Sequence, residues 1–160
     1  MQQITGHRFH EWEITNMKDI FLKLLSCLRS KSIFYQHIHW TSKNVVSFQD
    51  HLLAERLYNA VEDEIDPVAE KAMGICKDPS VVDPNIITAM VAEKLKLVPM
   101  FGKENGEMFK SALTMEQEFI KYCTDYSKIP GVSLGVQNML ADMADHAEGR
   151  VYLLQQRITK

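Results

Sequence analysis

Apolar residues recur along this chain at the three- and four-residue spacing of helices with one buried face. Ile20, Leu24, Cys27, Leu28, Tyr35 and Ile38 share such a face and predict a first long helix from about Asn16 to Trp40, with Thr15 or Asn16 as N-cap. The segment 41–47, Thr-Ser-Lys-Asn-Val-Val-Ser, predicts a short crossing loop in which Asn44 takes a left-handed conformation. A second long helix is expected from Phe48 to Met73, stopped by Gly74. Asp78-Pro79-Ser80 and Asp83-Pro84-Asn85 read as turns, and Ile86 to Leu97 as a shorter helix ending before Pro99. A third long helix spans about Glu107 to Tyr126. Lys128-Ile129-Pro130-Gly131 breaks the pattern, and Leu134 to Ile158 forms the last helix, with Met139, Leu140, Met143, Val151 and Leu154 on its apolar stripe.

No stretch alternates as a strand does, and no fixed-period repeat is visible. Four long helices joined by short loops predict an all-α four-helix bundle, the shorter helix occupying the connection between the second and third. At 160 residues the chain is expected to be a single domain, 1–160, with a flexible N-terminal segment 1–14.

Composition narrows the function. A net charge of −3 without a basic tail argues against a nucleic-acid binder held by bulk electrostatics. The first residues lack the apolar core of a signal peptide, and the apolar run from Ile20 to Leu28 is too short to span a membrane. Three widely spaced cysteines, Cys27, Cys76 and Cys123, make no disulfide framework, so a reducing cytoplasm is the simplest expected compartment.

Five side chains offer metal-binding chemistry at helical spacing: His39, His51, Glu55, Asp66 and Glu70. His51 and Glu55 share one helical face, as do Asp66 and Glu70. His39 and His51 each lie six residues from Val45, the centre of the loop, and therefore face each other across an antiparallel helix pair. A straight helix rises about 28 Å from His51 to Glu70, while a metal holds its ligands within about 2.5 Å. The two pairs can meet only if a second copy packs antiparallel about a two-fold axis near residues 60–61. Mixed nitrogen and oxygen donors suit Fe(II), Zn(II) or Mn(II).

The series His39-Trp40, Phe48, His51, Glu55, Tyr58, Asp66, Ala69 and Glu70 resembles the Dps family of mini-ferritins, within the ferritin-like superfamily. The specific matches lie in residues 36–74. The resemblance implies a ferritin-like bundle and a ferroxidase that oxidises Fe(II) with hydrogen peroxide, for iron storage and protection against oxidative stress. It implies a homo-oligomer, a dodecamer, whose smallest functional unit is a dimer. His39, His51 and Glu55 of one subunit and Asp66 and Glu70 of its partner would bind iron, as a mononuclear or di-iron site that Zn or Mn could also fill. Trp40 would lie beside it.

Some features depart from that pattern. Glu55 stands where Asp is common, and Pro67 falls inside the second helix. The acidic segment that opens the last helix and lines an iron-access pore in the family is missing; residues 129–138 hold no acid. The alternative is a catalytically inactive ferritin-like assembly or interaction module, with structural metal at a dimer interface. Asp66-Pro67 also fits a helix start, which would break the second helix near Ile65 and leave Glu70 solvated. His7, His10, Glu11 and Glu13 read as a polar segment or an accessory metal site, and Asp142, Asp145 and His146 as a solvated or inter-subunit face. The Glu-x-x-His pattern of intra-subunit di-iron bundles is absent from the second helix.

Overall fold

The structure, a computed structural model, describes residues 6–98, 100 and 103–159, with side chains from Met17 onward. Five α-helices and one 3-10 turn follow in order: α1 (Gly6–Thr41), α2 (Ser47–Cys76), the 3-10 turn (Pro79–Val82), α3 (Pro84–Lys96), α4 (Asn105–Ser127) and α5 (Leu134–Ile158). No strand occurs among the described residues. Helices α1 and α2 pack as one antiparallel pair and α4 and α5 as another, with α3 resting on α1. This is the all-α four-helix bundle with an extra helix in the long connection. No described helix is long and apolar enough to cross a membrane.

The predicted stripe on α1 is the core stripe: Ile20, Leu24, Leu28, Tyr35 and Ile38 are fully buried, and Cys27 lies half-buried beside them. The helix begins at Gly6, ten residues before the predicted Asn16. No proline or glycine interrupts His7 to Asn16, and extending an existing helix adds one hydrogen bond for each residue fixed. Part of segment 1–14 therefore has helical backbone; the side chains of His7, His10, Glu11 and Glu13 lie outside the described residues. Helix α2 also runs past its predicted stop. Gly74 stays helical, and the chain turns at Lys77, whose φ of 51° is left-handed and whose N–H bonds Met73 O at 3.0 Å. Asp78 and Asp83 cap the 3-10 turn and α3, with Pro79 and Pro84 just inside.

Pro67 does not break α2. It sits on the exposed side, while Leu57, Val61, Ile65, Val68 and Ala72 bury the opposite face. A helix-interior proline costs about 3 kcal/mol. Burying Leu57, Val61, Ile65 and Val68 returns about 1.5–3 kcal/mol for each side chain, which outweighs it.

Midway along the bundle each of the four long helices places one charge in its core stripe: Lys31 on α1, Glu64 on α2, Glu116 on α4 and Arg150 on α5, all buried. Glu116 accepts from Lys31 Nζ at 3.0 Å, from the Tyr35 hydroxyl at 2.5 Å and from Arg150 Nε at 2.8 Å. Arg150 also donates to Glu64 Oε1 at 2.6 Å. The Lys31 ammonium lies 3.5 Å from the centre of the Phe119 ring. Two cations balance two anions, so the layer is neutral. Burial pushes the Glu116 carboxyl up, but Lys31 and Arg150 overcome it and hold the group below its usual range. Burial lowers Lys31 despite Glu116 beside it.

Glu116→Ala would strand Lys31 in the core, leave Arg150 with Glu64 alone, and is expected to cost about 3–5 kcal/mol in urea unfolding. The Glu116 contribution is present above the ordinary carboxylate range and is lost as pH falls through its depressed value. Pro67→Ala restores a helical donor at an exposed position, and the same measurement should show a gain of up to about 3 kcal/mol.

Candidate metal centre

The crossing loop places the histidines. Asn44 adopts φ 81°, the left-handed conformation expected of it, and the chain reverses between Thr41 and Ser47. His39, near the end of α1, then meets His51, near the start of α2. Their rings stack with centroids 3.6 Å apart and planes inclined by 24°. His39 Nδ1 lies 3.0 Å from His51 O, and His51 Nδ1 lies 2.9 Å from His39 O. A carbonyl can only accept, so each Nδ1 carries the proton and donates it to the other residue's main chain. Both Nε2 atoms keep a free lone pair in the neutral imidazoles. Metal-binding histidines are commonly held by such bonds, which fix the tautomer and the ring orientation.

Glu55, one turn beyond His51, completes a cluster. One donor atom from each of His39, His51 and Glu55 lies within 4.8 Å of the others, and all three residues are half-buried. Tyr58 packs edge-on against His39 at 5.4 Å. The start of α2 is clamped from below by Asp50, which is fully buried next to His51. Asp50 accepts from Arg157 Nε at 2.5 Å, from Arg157 Nη2 at 3.0 Å and from Asn105 Nδ2 at 2.8 Å. Asn105 Nδ2 also reaches Lys43 O at 3.0 Å, which ties the crossing loop to α4.

Asp66 and Glu70 do not join this cluster. They stand one turn apart on α2, both exposed, on either side of Pro67 and four turns or more along the helix from His51. Trp40 is 73% exposed beside the cluster, and Phe48 and Leu52 are exposed apolar neighbours on the first turns of α2. At the bundle centre the inward carboxylates Glu116 and Glu64 are paired with Lys31 and Arg150.

Several structurally important residues escaped the sequence reading: Lys31, Glu64, Glu116 and Arg150, and the Asp50–Arg157–Asn105 clamp. A signal for the first four was present, because each falls in phase with the buried stripe of its helix. The clamp joins residues 55 and 107 positions apart, and nothing local announces it.

No protein-family model matches this sequence, and no curated protein is detectably similar to it. Solved structures do match in shape. The X-ray structure of Dps from Thermosynechococcus elongatus superposes with a TM-score of 0.73 at 15% identity, covering 92% of this chain and 95% of that one. Dps92 from Deinococcus radiodurans gives 0.68 at 16% identity, covering 90% and 86%. The fold is the ferritin-like bundle of the Dps proteins. At these identities the likeness concerns backbone architecture, and the chemistry of the site must stand on its own residues.

The reciprocal bonds make a spectroscopic prediction. Long-range ¹⁵N–¹H correlation spectra of the metal-free protein at pH 8 should place the proton on Nδ1 of both His39 and His51. A proton on Nε2 of either would contradict the geometry.

Proposed function

We propose that the chain is a Dps-like ferroxidase that oxidises Fe(II) with hydrogen peroxide at a site shared by two subunits, for iron storage and protection against oxidative stress. The observation that carries this reading is the His39–His51–Glu55 cluster, with both Nε2 atoms free, at an exposed apolar corner of a Dps-type fold. Such a donor set fits Fe(II), and Zn(II) or Mn(II) as substitutes. The cluster supplies three protein ligands from one subunit, and Asp66 and Glu70 of a second copy would supply carboxylates from the other side.

The register of that pairing can be read off α2. A two-fold axis that sets His51 opposite Glu70 and Glu55 opposite Asp66 also sets Phe48 opposite Met73 and Leu52 opposite Ala69. Phe48, Leu52 and Met73 are all exposed in the single chain, so the pairing that completes the site also buries apolar surface. An interface of this kind is isologous, and each dimer would hold two equivalent sites. In the reaction two Fe(II) each give one electron to a peroxide, which takes up two protons and leaves as two waters. The protein's part is to hold Fe(II) on the imidazoles and carboxylates and to keep the product away from solvent. Trp40 stands where it can intercept stray oxidising equivalents. Assembly into a dodecamer in the cytoplasm belongs to the same reading.

The start of α5 favours a second reading. Its first turn holds no acid, and Leu134 is 71% exposed there. Without an acidic access path the same fold would serve as an inactive assembly or interaction module, with structural Zn(II) between subunits. DNA binding is not part of either reading, given the net charge of −3.

Subunit mixing separates these readings. Peroxide-dependent Fe(II) oxidation, followed by ferric absorbance, should fall at least ~10-fold in His51→Ala and in Asp66→Ala alone. Refolding the two variants together should restore about a quarter of wild-type activity, since half the dimers are mixed and each mixed dimer has one intact site of two. Full activity in either single variant would sink the site assignment. Zn(II)-dependent dimerisation without Fe(II) oxidation in the wild type would favour the structural reading.

A further inference from the structure

Between α2 and α5 runs an open groove with two lobes of about 810 and 880 Å³, both lined by Asp63, Glu64 and His146. Glu64 is the unusual member. Its side chain is only 8% exposed. Its Oε1 is taken by Arg150, yet its Oε2 is buried with no hydrogen-bond partner. A buried carboxylate oxygen left without a donor is costly, and a bound cation removes that cost.

The neighbouring imidazole is placed to share such a cation. His146 Nδ1 stands 3.3 Å from Glu64 Oε1, while the rest of its side chain is 60% exposed. That separation is longer than a good hydrogen bond. It matches the spacing, roughly 3.0–3.4 Å, of two donor atoms that each sit about 2.1 Å from one metal ion. Asp142 lies one turn before His146 on the same face of α5 and lines one lobe; Asp145 lines the other. Pro67, in the wall of the groove, has no N–H, so the main-chain carbonyl of Asp63 lacks its helical donor at this place. Three cations line the groove: Arg150 bonds both buried glutamates, the Lys71 ammonium lies over Gly135, and Arg56 is an exposed side chain of the 810 Å³ lobe.

We propose that Glu64 and His146 are the protein ligands of a divalent-cation site in the α2–α5 groove, separate from the His39–His51–Glu55 cluster. Water completes the shell, and Asp63, Asp142 and Asp145, which line the groove, supply the negative field around it. One nitrogen and several oxygens suit Mn(II), Fe(II) or Zn(II).

Mn(II) is the probe, followed by loss of the free-ion EPR signal. A His51→Ala chain, which lacks the other cluster, should still bind about one Mn(II) per chain. Adding His146→Ala to it should weaken that binding at least ~10-fold. Asp142→Asn should weaken it less. Glu64→Gln should abolish it while Arg150 remains held by Glu116, with an unchanged helical circular dichroism spectrum confirming the fold. No Mn(II) binding in the His51→Ala chain overturns the proposal, as does binding that is indifferent to both His146→Ala and Glu64→Gln. Failure of the Fe(II) oxidation assay leaves this test untouched, because it is read in a chain whose other cluster has been removed.

Discussion

The neutral layer of Lys31, Glu64, Glu116 and Arg150 is the constraint around which the bundle is arranged. Each long helix contributes one charge, and each charge has its counter-charge on another helix. Sliding any helix by one turn would move its charge about 5.4 Å from its partner and strand it in an apolar core. Hydrophobic stripes alone tolerate such slips far better, because one leucine-lined turn resembles the next. The layer therefore sets the level of all four helices, whatever its net contribution to stability. It also occupies the kind of position where other bundles gather inward carboxylates around metal. With protein cations installed there, Glu64 and Glu116 do not face each other as a bare carboxylate pair, and the His39–His51–Glu55 cluster forms instead at the end of the α1–α2 pair.

The His39–His51–Glu55 cluster depends on two independent supports. One is local: the tight loop and the exchanged imidazole–carbonyl bonds. The other is distant: Arg157 at the end of α5 and Asn105 at the start of α4 both grip Asp50, so the first turn of α2 is fixed by the opposite helix pair. The exposed side of the cluster has no comparable support. Trp40, Phe48 and Leu52 stand in solvent there, an arrangement a single chain gains nothing from.

Much of the architecture was legible in the sequence because helical periodicity is a strong signal and the turns are marked by Pro, Gly and Asn. The meeting of His39 and His51 was legible because equal distances from a loop centre translate directly into equal heights on two antiparallel helices. Boundaries were less so. Gly74 reads as a stop, but Ala72 and Cys76 are buried on either side of it and carry the helix on to Lys77. Pro67 left two readings open, because local preference for a break competes with burial of Ile65 and Val68, and only packing resolves that competition. The charged core layer was overlooked for the opposite reason. Lys31, Glu64, Glu116 and Arg150 sit in phase with apolar neighbours, yet each taken singly looks like a surface charge, and only the four together cancel. Asp66 and Glu70 stand apart from the histidines because α2 continues unbroken between Glu55 and Glu70.

The exchanged bonds between His39 and His51 have a consequence for the length of the loop that separates them. Each imidazole reads the main chain of the other helix, so the two helices must arrive in both the right height and the right rotation. One residue more or fewer between Ser42 and Val46 would have to be absorbed in the loop or passed into α2, where each residue of shift turns a side chain by about 100° about the helix axis. A shift passed into α2 would break both bonds together and carry Glu55 off the shared face. The loop thus acts as a ruler: the left-handed turn at Asn44 and the number of residues around it set the height at which the two imidazoles meet.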